Sequence, residues 1–251
     1  MPRLQSLVAI VTGGGQGFGE GILKLFLEEG AFVVSFDLQK SKHNNSKTCI
    51  YFQGDVTKEA DWKEASKQAF ETFGKHPTIV VNNAGWTYSQ KPSLDVTEEE
   101  FDRVFNVNVK AIFLSHRALV PLMQQAGGGS FITISSTAAL RPRPKLTWYN
   151  ATKGAVSTAS KSMALEHASD NIRFNCVCPV AGNTPLLSKF AGATNSSDKL
   201  TEEQLRIFNS SVPLGRLSEP SDVANAVLFF ADPASAFITG TDMAVDGGRC
   251  V

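Results

Sequence analysis

The chain lacks the ingredients of a disulfide scaffold, a membrane span and a nucleic-acid surface. Its four cysteines, Cys49, Cys176, Cys178 and Cys250, are scattered over 251 residues, whereas small stapled domains carry a dense, even set. Cys176 and Cys178 stand at i and i+2 in RFNCVCPV, on one face of a strand, with no histidine or second cysteine pair at zinc-ligand spacing. They read as buried strand thiols, and no metal site is expected. The four histidines, His43, His76, His116 and His167, form no spaced cluster and read as surface or core residues. No apolar run approaches the roughly 20 residues that a bilayer span needs. The opening MPRLQSLVAIVTGGG has neither the apolar stretch nor the cleavage site of a secretory signal, so the expectation is a soluble cytoplasmic protein with no membrane partner. An excess of either charge is missing too: 24 Lys plus Arg balance 24 Asp plus Glu, for a formal net charge of +0. With no basic field to neutralise a phosphate backbone, no nucleic-acid partner is expected.

What is present is a globular composition, 42% hydrophobic and 19% charged, arranged in an alternating pattern. LVAIVT at 7–12 is a short apolar run bounded by glycines, hence a buried strand, and GFGEGILKLFLEEG after it has helical spacing and a terminal glycine stop. Strands at AFVVSF, CIYF, TIVV, SFITIS, RFNCV and DMAV then trade places with helices at KEADWKEASKQAFETFG, 97–125, 148–168 and 221–231. That alternation implies crossover units: an α/β, Rossmann-type doubly wound parallel sheet of about seven strands with helices on both faces. One domain spanning 1–251 accounts for the whole pattern, with no internal repeat. QKSKHNNSK, between the second and third strands, is too short and polar for more than a token helix. The stretch 179–211 is long and Gly/Ser/Asn-rich in its middle, the form of a substrate-loop insertion.

TGGGQGFG at 12–19 follows a strand and opens a helix, so its amides and the positive helix end suit a pyrophosphate. Asp37 ends the second strand, where a carboxylate would bind the ribose hydroxyls of an adenosine and repel a 2′-phosphate. Gln16 offers no compensating positive charge, and Lys40 and Lys42 lie in a polar loop that reads as solvated. The cofactor reading is NAD, with NADP disfavoured.

Tyr149 and Lys153 stand one helical turn apart, on one face. A unit charge roughly 4 Å away, at an effective dielectric near 20, is worth about 4 kcal/mol, or on the order of three pKa units. The expectation is therefore that Lys153 brings the Tyr149 phenol down toward neutral pH, against the opposing effect of burial.

TGGGQGFG, Asp55-Val56, NNAG at 82–85, Asn108, Ser136, YNATK at 149–153, Asn175 and the closing VDGG together resemble the short-chain dehydrogenase/reductase family, from about residue 7 to the C-terminus. The resemblance implies that Tyr149 exchanges a proton with the substrate oxygen and that Ser136 hydrogen-bonds it. Lys153 would lower the phenol pKa and bind the nicotinamide ribose, and Asn108 would help hold a water beside the lysine. The implied cofactor contacts are Gly13, Gln16, Gly17, Phe18 and Gly19 in the first loop, Asp37 at the ribose, Asp55 and Val56 at the adenine, and Asn83, Ala84 and Gly85 beside the adenosine ribose. Tyr149, Lys153, Pro179, Gly182 and Thr184 complete them toward the nicotinamide. The chain departs from the family pattern at three points: Val180 follows Pro179 where a glycine is usual, Gly182 replaces a branched residue, and Phe18 replaces an isoleucine. Asn82 and Asn175 read as a turn residue and a strand-edge polar group. The family's usual dimers or tetramers form through the helices around 97–125 and 148–168, so a homo-oligomer, typically a homotetramer, is implied.

Trp86, Tyr88, Leu140, Trp148, Val180, Leu186, Leu187 and Phe190 are candidates for an apolar substrate cleft, and Arg141 or Arg143 for a contact with an acidic substrate. The favoured function is an NAD-dependent oxidoreductase interconverting a secondary alcohol and a ketone. The alternatives are an NADPH-dependent 3-oxoacyl-type ketoreductase and a non-catalytic NAD-binding sensor, the latter disfavoured because both Tyr149 and Lys153 are present.

Overall fold

Short runs of branched and aromatic side chains make the strands Val8–Thr12 (β1), Phe32–Asp37 (β2), Cys49–Gln53 (β3), Ile79–Asn82 (β4), Gly129–Ile134 (β5), Ile172–Pro179 (β6) and Asp242–Val245 (β7). The structure, a computed structural model, describes residues 1–41, 43–192 and 200–251. In it these strands form one sheet of order β3-β2-β1-β4-β5-β6-β7, every pairing parallel. The order reverses between β1 and β4, which opens a crevice at the carboxyl ends of the strands.

Side chains alternate across the sheet because the strand period is two. Ala9 and Val11 face one core, with Ile22, Leu23 and Phe26 of α1 (Gly17–Glu28) and Val223, Val227 and Leu228 of α8 (Pro220–Ala231). Val8 and Ile10 face the other, with Trp62 and Ala65 of α2 (Glu59–Phe73), Leu114 and Leu119 of α4 (Ala111–Gln125), and Ala164 of α5 (Thr147–Glu166). Burial on both faces explains why the strands read as continuous apolar runs.

The helix expected over 97–125 is interrupted. Thr97 caps α3 (Glu98–Phe105) in a reciprocal box with Glu100, and the chain then widens into a π-helical turn, Asn106–Lys110, before α4. A π turn puts an extra residue into the helix and re-aims one side chain; here it carries the buried Asn108. Within 179–211 lie α6 (Leu187–Phe190) and α7 (Glu202–Ser210), in a segment whose residues 193–199 fall outside the described set. No helix joins β2 to β3 among the described residues, and Lys42 lies outside them.

Two readings, of Asn82 and Asn175, need correction, and one contact goes beyond the sequence reading. His116 and His167 meet across α4 and the end of α5, Nε2 to Nε2 at 2.9 Å, and Asp170 lies 3.0 Å from His167 Nδ1. Spacing in sequence could not show a pair that two separate helices assemble. Asn82 ends β4 in the interior and is not a turn residue. Asn175 lies on β6, between β5 and β7 and away from any edge, and its amide binds Ile238 O at 2.9 Å and Thr241 N at 3.0 Å, which fixes the approach to β7. Cys176 and Cys178 are buried free thiols, as expected, and burial raises them to about 12 and about 11.

Candidate active site

Thr12, at the end of β1, organises the first wall of the crevice. Its hydroxyl accepts the backbone N–H groups of Asn83 and Ala84, both at 2.9 Å, and donates to Val81 O at 3.2 Å. The Asn83 side chain donates in turn to Thr12 O at 2.8 Å and Gly13 O at 3.3 Å. Gly13 and Gly17 adopt φ of +65° and +57°, a region that glycine enters without strain. At Gly19 a Cβ would lie 2.0 Å from Gly13 O, so only glycine lets the start of α1 close against the loop. Asp37 tethers this cradle to β2: Oδ2 accepts from Gly15 N at 3.1 Å and Oδ1 from Gln39 N at 3.0 Å. The donor set fits a dinucleotide, with backbone amides and a helix N-terminus for the phosphates and a carboxylate at the strand end for ribose hydroxyls.

The crevice is a cavity of about 540 Å³, and its wall brings together sixteen of the eighteen expected positions. These run from Gly13, Gln16, Gly17, Phe18 and Asp37 through Asp55, Val56, Asn83, Ala84 and Gly85 to Ser136, Tyr149, Lys153, Pro179, Gly182 and Thr184. The other two, Gly19 and Asn108, stand behind the wall. Asn108 is 3% exposed; it accepts from Trp86 N at 2.8 Å and donates to Trp86 O and to Thr152 Oγ1, each at 3.0 Å. It thereby ties the NNAG loop to α5, which carries Tyr149 and Lys153. Lys40 is exposed and outside the wall. Asp55 caps its own turn, accepting from Thr57 N at 2.9 Å and Thr57 Oγ1 at 2.8 Å.

Ser136 and Ser135 separate cleanly. Ser135 is buried against α5, bonded to Ser157 Oγ at 2.9 Å and Lys153 O at 3.1 Å. Ser136 lines the cavity together with Tyr149, and its hydroxyl accepts from Ala138 N at 3.1 Å. The expected electrostatics do not hold, however. Burial pushes the Tyr149 phenol up to about 12, against the opposing pull of Ser136 and of the Arg143 charge. Burial also draws Lys153 down to about 8, and its Nζ donates to Ile134 O at 2.7 Å and sits 5.8 Å from the Tyr149 ring centre. Desolvation outweighs the ammonium because both groups are buried and the carbonyl, not the phenol, takes the short contact.

The departures at positions 18 and 182 prove to be one feature. A Cβ on Gly182 would stand 2.3 Å from Phe18 Cζ, so the larger ring on α1 occupies the room that a branched residue would need. Of the apolar candidates, Trp86, Val180, Leu186 and Phe190 reach the cavity, and Phe190 meets Tyr149 edge-on at 5.5 Å. Tyr88, Leu140, Trp148 and Leu187 do not line it; Tyr88 is 1% exposed, and its hydroxyl accepts from Trp148 N at 3.0 Å. Arg143 lines the cavity, whereas Arg141 binds Arg249 O at 2.9 Å outside it. Sequence reasoning missed Thr12, whose only signal was its place before the glycines. It also missed Arg103 and Lys189, which enter the wall from α3 and α6 and carry no local signature.

Comparisons with known proteins agree with this geometry. A family profile described as enoyl-(acyl carrier protein) reductase matches residues 13–249. The chain is 40% identical over 255 residues to 4-formylbenzenesulfonate dehydrogenase of Comamonas testosteroni, covering 98% of this chain and 99% of that one. It is 34% identical over 256 residues to a cyclopentanol dehydrogenase of the same species, covering 99% and 98%. A crystal structure of 3-ketoacyl-(acyl-carrier-protein) reductase from Brucella melitensis complexed with NADH superposes with a TM-score of 0.89 at 38% identity, covering 99% of this chain and 100% of that one. With its parallel sheet, glycine cradle and Ser-Tyr-Lys arrangement, this chain belongs to the short-chain dehydrogenase/reductase family of oxidoreductases.

Proposed function

We propose that the protein is an NAD-dependent oxidoreductase that interconverts a secondary alcohol and a ketone, acting as one domain with a substrate-loop insertion at about 179–211. The observation that carries the reading is that Ser136 and Tyr149 line the same cavity as the glycine cradle. A bound nicotinamide dinucleotide supplies or accepts the hydride. Gly13, Gln16, Gly17 and Gly19 hold its phosphates, Asp37 its adenosine ribose, Asp55 and Val56 its adenine, and Thr184 and Lys153 its nicotinamide half. Tyr149 gives its proton to the carbonyl oxygen in reduction and takes it back in oxidation, while Ser136 donates to the same oxygen as charge develops there. Asn108 acts by positioning, since it clamps Trp86 to α5.

Asp37 favours NAD because its carboxylate already faces the glycine loop and would repel a 2′-phosphate. The relatives named for cyclopentanol and for 4-formylbenzenesulfonate favour small cyclic or aromatic substrates. A homo-oligomer in the cytoplasm is part of the same reading, with exposed Phe113 on α4 and Leu165 on α5 as the apolar positions it would cover. The test is a screen of cyclic and aryl alcohols, ketones and an enoyl thioester, followed by NADH absorbance with NAD(H) and NADP(H). The expected result is turnover of alcohols or ketones, at least 10-fold better kcat/KM with NAD(H), and a loss of at least about 10²-fold in Tyr149→Phe. Activity confined to the enoyl thioester, or full activity in Tyr149→Phe, would refute the proposal.

A further inference from the structure

The cavity that holds Ser136 and Tyr149 is walled also by Trp86, Leu186 and Phe190 and by three cations, Arg103, Arg143 and Lys189. Its two carboxylates, Asp37 and Asp55, are each engaged by neighbouring backbone N–H groups.

Arg143 is the most unusual of the three. Arg3, Arg206 and Arg216 pair with Asp232, Glu203 and Asp222, and the buried Arg173 spends its guanidinium on Phe230 O at 2.6 Å and Ile238 O at 3.3 Å. Arg143 is half-buried, yet among the described residues its five N–H donors meet no acceptor; its guanidinium only stacks 5.7 Å from the Phe208 ring. Burial, followed by the repulsion of Arg249, holds it below the usual arginine value. Its position is nonetheless fixed, because Asn150, the residue after Tyr149, donates to Arg143 O at 2.7 Å. Around Trp86 two more cations gather, Lys189, which donates to Thr87 O at 3.2 Å, and the exposed Arg103. Arg103 Cζ lies 4.6 Å and Lys189 Nζ 4.9 Å from its ring centre. Burial and the charge of Arg103 lower the Lys189 ammonium, while Glu100, the nearby carboxylate acting on it, is bonded to Lys91 at 2.7 and 2.9 Å. A desolvated cation without an acceptor is costly. Arg143 is such a cation, and with Lys189 and Arg103 in the same wall it forms a site for a negative charge.

We infer that the substrate carries an oxyanion, a carboxylate or a sulfonate, which Arg143 binds through its unpaired N–H groups while Arg103 and Lys189 beside Trp86 add attraction. This rests on the reading of Ser136 and Tyr149 as the carbonyl site. Arg143 would hold the far end of a molecule whose carbonyl lies at Tyr149, with Trp86 and Phe190 covering its apolar body.

Calorimetric binding separates the two ideas, since a ketone with oxidised NAD forms a complex that cannot turn over. The ligands are 4-acetylbenzoate, 4-acetylbenzenesulfonate and neutral methyl 4-acetylbenzoate, titrated into wild type, Arg143→Gln, Arg143→Lys and Arg141→Gln, with NAD binding and circular dichroism as checks on folding. At least one anion should bind about 10-fold or more tightly than the ester. Arg143→Gln should lower that ratio about 10- to 100-fold, the value of charge-assisted hydrogen bonds. Arg143→Lys should restore part of the ratio, and Arg141→Gln should leave it alone. Preference for the benzoate or for the sulfonate identifies which oxyanion the site takes. Equal affinity of wild type for anions and ester, no anion binding, or a ratio unchanged in Arg143→Gln overturns the inference. Failure of every alcohol and ketone to turn over would sink the proposed function instead, whatever the binding ratios show.

Discussion

Putting a methyl group on Gly182 tests whether Phe18 and Gly182 evolved as one packing unit. Gly182 does not sit at positive φ, so alanine brings no backbone strain there and the cost is steric. The new Cβ would meet Phe18 Cζ at 2.3 Å, Phe18 Cε1 at 2.6 Å and Ser218 Oγ at 2.8 Å. The serine can yield cheaply, because its hydroxyl makes only a 3.4 Å contact to Val180 O. The ring cannot, since Phe18 packs against the core under α1. Overpacking of this kind costs about 1–3 kcal/mol, while replacing glycine at a compatible conformation returns about 0.4–1 kcal/mol through the unfolded chain. Gly182→Ala alone should therefore destabilise by up to about 2.6 kcal/mol. In a Phe18→Ile background the ring atoms are gone, and the same change should become neutral or stabilising by up to about 1 kcal/mol. The coupling, about 1–3 kcal/mol, is read from urea midpoints in a double-mutant cycle. NADH fluorescence titration of the four proteins should show the same ordering, because both residues line the cofactor crevice. Strict additivity, with Gly182→Ala costing the same in both backgrounds, would refute the argument.

Two pH dependences follow from the buried groups. With the Tyr149 phenol raised to about 12 by burial, reduction begins with the proton donor in place, whereas oxidation needs it removed. The kcat/KM for alcohol oxidation should rise up to about tenfold per unit over pH 7–9 while ketone reduction stays level or falls; a level oxidation profile would contradict this. His116 is held below its ordinary value of 6.5 by burial first and the charge of His167 second. The unfolded chain therefore binds the proton more readily, so this contribution to stability is complete above about pH 6.5 and is lost as pH falls toward the folded value. Between pH 7 and pH 5 the thermal midpoint should fall further in the wild type than in His116→Asn. Parallel curves would exclude the histidine pair as the cause.

The primary sequence by itself determined the strand and helix alternation, and with it the sheet, because strands buried on both faces must be continuous apolar runs and crossover helices must be amphipathic. It also determined the cradle, since Gly13, Gly17 and Gly19 are required locally by backbone geometry, and the Tyr149–Lys153 face, since a helix turn is a local distance. Tertiary structure alone decided what depends on distant segments meeting. It set Thr12 beneath Asn83 and Ala84, paired Phe18 with Gly182 and His116 with His167, and brought Arg103, Arg143 and Lys189 around one cavity from three elements. It also reversed the expected shift of the phenol, for an ammonium one turn away can be read from spacing, but the burial that outweighs it exists only once the chain has closed around both groups.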